Sequence, residues 1–79
     1  MRISGDQVRM ARAALKWTVQ DLADRASISK NTVVAVEAGR DSHATTIAAI
    51  EHALSKAGVE FISENGGGAG ARLKRKAKR

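Results

Sequence analysis

Residues 18–39 carry three helix-boundary signals in quick succession, and these leave little choice of local structure. Thr18 and Asp21 form an S/T-x-x-D/E pattern, a variant of the capping box, in which a hydroxyl and a carboxylate each accept from an otherwise unpaired backbone N–H. Leu22, Ala23 and Ala26 give an apolar side to the segment that follows, which ends near Arg25 or Ala26. Ser29 is a good N-cap, and Gly39 suits the left-handed position just past a helix end. Between them lies Thr32-Val33-Val34-Ala35-Val36, a β-branched run that on propensity alone reads as a strand. Caps bracket it at helical length, and Val33 and Val36 form an i, i+3 pair, so a helix is expected. The result is two short helices joined by Ala26-Ser27-Ile28-Ser29.

The flanks extend this pattern. A first helix is expected over residues 5–16, capped by Ser4 or Asp6, with Val8, Ala11 and Leu15 on one face. A fourth is expected over about residues 45–57, where Ile47, Ile50 and Leu54 recur at i, i+3, i+7 and Gly58 ends the run. Then the periodicity changes. Val59-Glu60-Phe61-Ile62-Ser63 suits a strand, the glycine-rich residues 64–70 a flexible turn, and residues 71–75 a second strand. The alternative for this region is an unstructured linker and tail, although Phe61 favours order as far as Ile62. The expected fold is mostly α, with four main helices and a possible C-terminal β-strand or hairpin. It divides into residues 1–58, a strand or hairpin segment 59–75 available for dimerisation, and a basic, flexible tail 72–79.

A chain of 79 residues buries a thin core, and this one has only Trp17 and Phe61 as aromatics. Trp17, at the end of the first helix, is expected to be partly buried packing. No cysteine is present, so neither a disulfide nor a thiolate metal site can supply the missing stability. His43 and His52 are too few and too isolated for a metal cage, and no cofactor is expected. Oligomerisation is left as the support, most simply a homodimer. No stretch resembles a signal peptide or a membrane span, so a soluble, cytoplasmic protein without membrane contact is expected. The net charge of +6 is unevenly placed. Basic and acidic residues cancel over residues 1–71, and the whole excess is Arg72, Lys74, Arg75, Lys76, Lys78 and Arg79. Such a tail suits an anionic partner, nucleic acid above all, or serves as a solubilising end. Enzyme chemistry finds no footing. Gly66-Gly67-Gly68-Ala69-Gly70 lacks the lysine and helix that follow a phosphate loop, and neither histidine has partners for a nucleophilic triad.

Two short helices on a tight link, with small Ala23 where the second must approach and Val33 and Val36 on its inner face, have the geometry of a helix-turn-helix. The string Thr18-Val19-Gln20-Asp21-Leu22-Ala23-Asp24-Arg25-Ala26-Ser27-Ile28-Ser29-Lys30-Asn31-Thr32-Val33-Val34-Ala35-Val36-Glu37-Ala38-Gly39 resembles the XRE-type bacterial regulators related to the phage lambda and Cro repressors. It is similar to their S-Q-x-x-L-A-x-x-x-G-V-S-x-x-x-I-x-x-x-E-x-G, and Ile47, Ile50 and Leu54 fit their fourth helix. The likeness covers residues 8–54 and implies a lambda repressor-like helical bundle. Two positions depart from it. Val19 stands where a glutamine usually reaches a phosphate and braces the second helix, so that contact is missing. Ser27 stands where glycine usually makes the turn, and serine tolerates the left-handed conformation less well.

The resemblance also implies roles. Ser29, Lys30, Asn31, Thr32, Val34 and Ala35 would face double-stranded DNA. Lys30 can donate to guanine O6/N7, Asn31 can bond bidentately to adenine, and Val34 or Ala35 can touch a thymine methyl. Thr18, Ser42 and His43 match phosphate-contacting positions, and Arg12 and Glu37 match a charge pair that orients the recognition helix. The expected function is a sequence-specific transcriptional regulator, repressor or Cro-like, acting as a homodimer on a palindromic operator. The alternative is a scaffold that binds another protein, as an antiactivator or antitoxin does, which Val19, Ser27 and the apolar Val34-Ala35 pair favour. A further rival is sequence-independent nucleic-acid binding through the tail.

Overall fold

Ser4 opens the first helix of the computed structural model, which describes residues 3–63 and 66–74. Its hydroxyl accepts from the Gln7 backbone N–H at 3.2 Å, and the Gln7 side-chain oxygen accepts from the Ser4 N–H at 2.9 Å. The cap is therefore Ser4, and Asp6 lies inside the first turn of α1 (Gly5–Leu15). The helix ends one residue before Lys16, which adopts the left-handed conformation at φ 60°. Three further helices follow, α2 (Val19–Ala26), α3 (Lys30–Glu37) and α4 (Ala44–Lys56). The fourth begins one residue earlier than its periodicity suggests. Caps and burial outweigh β-branched propensity in α3, where Val33 and Val36 lie in the core.

Val8, Ala11, Leu22, Ala23, Val33, Val36, Ile47, Ile50 and Leu54 form one buried cluster, to which Ile3, Ala53 and Val59 also belong. The apolar i, i+3, i+7 positions read from the sequence are the ones that meet there, with Leu15 packed at the margin. No helix among the described residues is long and apolar enough to cross a membrane.

The C-terminal segment folds as an antiparallel hairpin of β1 (Val59–Ile62) and β2 (Gly70–Leu73), in register Val59↔Leu73 through Ile62↔Gly70. Both strands are shorter than expected. The twofold period of a strand puts Val59 and Phe61 on one face, where Phe61 and Ala71 pack against the helical core. Glu60 and Arg72 pair at 3.2 Å on the other face. Val59 is thus buried by its own chain, and Phe61 and Ala71 are partly covered by it. Residues 64, 65 and 75–79, which hold part of the expected turn and most of the basic tail, lie outside the described residues.

Two features of α1 fasten these parts together. The Gln7 amide, almost fully buried, donates to the carbonyls of Ile62 at 3.1 Å and Gly70 at 3.0 Å, closing the end of the hairpin ladder. Gly5 touches the other neighbour. A Cβ there would lie 2.6 Å from the Val36 carbonyl oxygen and 2.7 Å from that of Glu37, so only glycine lets α1 start against the end of α3.

Candidate nucleic-acid interface

The link between α2 and α3 is set by three local devices. Thr18 and Asp21 cap each other's backbone at the start of α2, at 3.0 and 2.9 Å. At its end Ser27 sits at φ 58°, and Ile28 N–H reaches back to the Ala23 carbonyl at 3.0 Å. Ser29 then opens α3, accepting from Thr32 N–H at 3.1 Å while its hydroxyl also bonds that of Thr32 at 2.8 Å. At the far end, N–H groups of Gly39 and Arg40 bond the carbonyls of Val36 and Ala35, a Schellman closure with Gly39 at φ 78°. Both ends of α3 are therefore fixed without help from solvent.

One side of α3 is buried (Val33, Val36 and Glu37), and the other side is open. Lys30, Asn31 and Val34 are exposed, with Val34 at 41%, while Thr32 and Ala35 are half-buried. Met10 and Leu73 are at least as exposed, so Val34 marks a site only through its neighbours Lys30 and Asn31. Ser29 and Thr32, two of the residues expected to face DNA, already spend one another's hydroxyls in the cap.

Thr18, Ser29 and His43 share one property: each is the N-cap of a helix, α2, α3 and α4 in turn. Helix N-termini present unpaired N–H groups and the positive end of the helix dipole, which favours phosphate oxygens. His43 supplies no side-chain cap to α4. Its backbone N–H and ring Nδ1 instead lie 3.1 and 2.9 Å from Asp41 Oδ1. These bonds, the ring contact foremost, hold the Asp41 carboxyl below the usual carboxylate range. Ser42 lies exposed beside them. Arg40, in the same loop, is exposed and carries no motif signal.

Arg12 and Glu37 meet as a two-pronged pair, Nε to Oε2 at 2.8 Å and a terminal nitrogen to Oε1 at 3.1 Å. A further guanidinium N–H reaches the Trp17 carbonyl at 3.1 Å. The hydrogen bonds that Arg12 donates to Glu37, more than the attraction of the opposite charge, raise the Arg12 pKa above its ordinary value against the opposing effect of burial. Arg9 adds a bond to the Glu37 backbone carbonyl. Trp17 is half-buried against the core, with the Arg25 guanidinium 4.7 Å from its ring centre. Val19 is itself partly buried against the core. Gly5, Gln7 and Arg9 carry no motif signal, because their partners lie far away in sequence. Among the described residues no group of acidic residues and histidines is placed to hold a metal ion.

A family model described as a helix-turn-helix domain matches residues 5–59. No curated protein matches the chain.

Proposed function

We propose, from the premise that this chain belongs to the helix-turn-helix domain family, that it is a transcriptional regulator that reads a specific DNA sequence through α3. The observation that carries this reading is the division of α3: Val33, Val36 and Glu37 are locked inward, and Lys30, Asn31 and Val34 are offered outward with no structural task. In the major groove Lys30 donates to guanine, Asn31 pairs with adenine, and Val34 and Ala35 contact thymine methyls. Thr18, Ser29, Ser42 and His43 hold the phosphate backbone at helix N-termini, with Thr32 beside them and Arg40 adding charge. Arg12 and Glu37 set the angle at which α3 meets the groove.

The protein acts as a homodimer on a palindromic operator, its half-sites about one helical turn apart, as a repressor of Cro-like type. The basic tail adds affinity without choosing sequence. Footprinting on the DNA upstream of its own gene tests this. A protected, roughly two-fold symmetric site of 10–20 base pairs is the expected result. Protection that spreads evenly along every duplex would replace the reading with sequence-independent binding. The exposed Val34-Ala35 surface also suits a protein partner, and that second reading requires a saturable protein complex that forms while no DNA sequence is preferred.

A further inference from the structure

The C-terminal turns of α2 and α4 meet in a cleft of about 320 Å³ lined by Arg25, His52, Ala53, Lys56 and Ala57. Every titratable group in it is a cation or a histidine. Two other surface clefts each contain a carboxylate, Glu60 in one and Asp6 with Glu37 in the other. Among the described residues the ion pairs use Arg9, Arg12, His43 and Arg72, so Arg25, His52 and Lys56 have no carboxylate partner.

A cation in the last turn of a helix complements the negative end of the helix dipole, and that would account for one charge at each end. The magnitudes leave a surplus. Two helix ends supply roughly −0.5 charge each, about one unit of negative charge against two full positive charges from Arg25 and Lys56. The Arg25 guanidinium is also held in advance by the Trp17 ring, 4.7 Å away, which lowers the entropy lost on gripping a ligand. Ala53 and Ala57 form a small apolar floor. The volume lies at the low end of the ~300–1,000 Å³ typical of small-molecule sites.

We propose that this cleft binds a small phosphate-bearing anion, gripped by Arg25 and Lys56 with a ring N–H from His52. The site shares no residue with the surface assigned to DNA, although Ser29 follows Arg25 by four residues. Thr18 and His43 cap the opposite ends of the same two helices, about 12 Å along α2 and about 20 Å along α4. A phosphate bound at Thr18 or at His43 is therefore a helix length away from it. The helix-turn-helix unit therefore holds a ligand site within its own scaffold.

Titration of the ¹⁵N-labelled full chain with sodium phosphate, with ribose 5-phosphate, and with sodium chloride at matched ionic strength tests the proposal. Both phosphates are expected to give saturable shifts in the backbone signals of Arg25, His52, Ala53, Lys56 and Ala57 and in the Trp17 indole, with Kd on the order of 1 mM or tighter. Tighter binding of ribose 5-phosphate would place the sugar on Ala53 and Ala57. Arg25→Gln with Lys56→Gln, both exposed positions, is expected to weaken binding roughly tenfold or more while the far-ultraviolet spectrum stays unchanged. Equal shifts with chloride, failure to saturate, shifts centred on Thr18, Ser29 and His43, or undiminished affinity in the double variant would each overturn it.

Discussion

Lys30 and Asn31 stand on the first turn of α3 with no partner in the fold, so their replacement separates recognition from stability. Lys30→Ala or Asn31→Ala is expected to lose about 1–3 kcal/mol on the preferred operator and little on random DNA. Fluorescence anisotropy on both duplexes measures this, and equal loss on both would move base reading elsewhere. Asp41 offers a pH test. Its pKa is lowered in the folded state, so its contribution to stability is complete above the ordinary carboxylate range and fades as pH falls through the lowered value. A carboxyl titration followed by NMR should show Asp41 losing its charge below that range and returning toward it in His43→Ala. These local pairs are legible in part from sequence, since Thr18-x-x-Asp21 and Ser29 advertise their caps by residue type. Asp41 and His43 do not, because nothing in their spacing says that the aspartate serves the histidine and not the helix.

The helix boundaries combine readable and unreadable chemistry. Gly39 ends α3 where a glycine is expected, but Lys16 and Ser27 adopt the same left-handed conformation with side chains that resist it. That conformation costs an L-residue about 1–2 kcal/mol, partly offset in a glycine variant by the greater freedom of its unfolded chain. Ser27→Gly is therefore expected to stabilise the protein by about 0.5–1 kcal/mol, a rise in Tm of roughly 3–6 °C by thermal melt. An unchanged or lowered Tm would mean that the serine side chain relieves the strain in a way its exposed setting does not suggest. The junction of α1 with α3 behaves in the opposite sense. Glu37 is 9% exposed and Arg12 22%, so Glu37→Ala leaves a half-buried guanidinium with the Trp17 carbonyl as its remaining partner, at a cost of about 1–3 kcal/mol. Arg12→Met with Glu37→Leu should recover much of that loss, because both desolvation penalties disappear together. Small, equal effects from the single and double variants in thermal melts would mean that water screens the pair. The pairing is foreseen from family likeness; the glycine at position 5 that brings the two helices close enough for it is not, since a close approach leaves no trace in local spacing.

At the scale of the molecule, charge and core lie in different parts of the chain. Removing the residues after Lys74 takes away Arg75, Lys76, Lys78 and Arg79 and none of the described core. The slope of log affinity against log salt should flatten by up to roughly 3–4 if all four meet phosphate, with operator preference unchanged. A slope that stays the same would make the tail a bystander. The four helices are legible because each buries a periodic apolar face. The docking of the hairpin is legible only in part, for Val59 and Phe61 show their apolar face, whereas Gln7, which ties the end of the ladder to α1, is a residue that any sequence pattern would assign to solvent. That amide has a consequence for how the protein is made. On the ribosome α1 emerges first, and the carbonyls that Gln7 needs belong to Ile62 and Gly70, among the last described residues to emerge. Until they arrive, water alone satisfies that amide, and the cover that Val59, Phe61 and Ala71 lay on the helical core is missing. A domain this small has only about 3–5 kcal/mol from its core to set against that loss. A chain released before Gly70 can thus carry an intact α3 and still be the unstable copy, the one a protease removes before it competes for DNA.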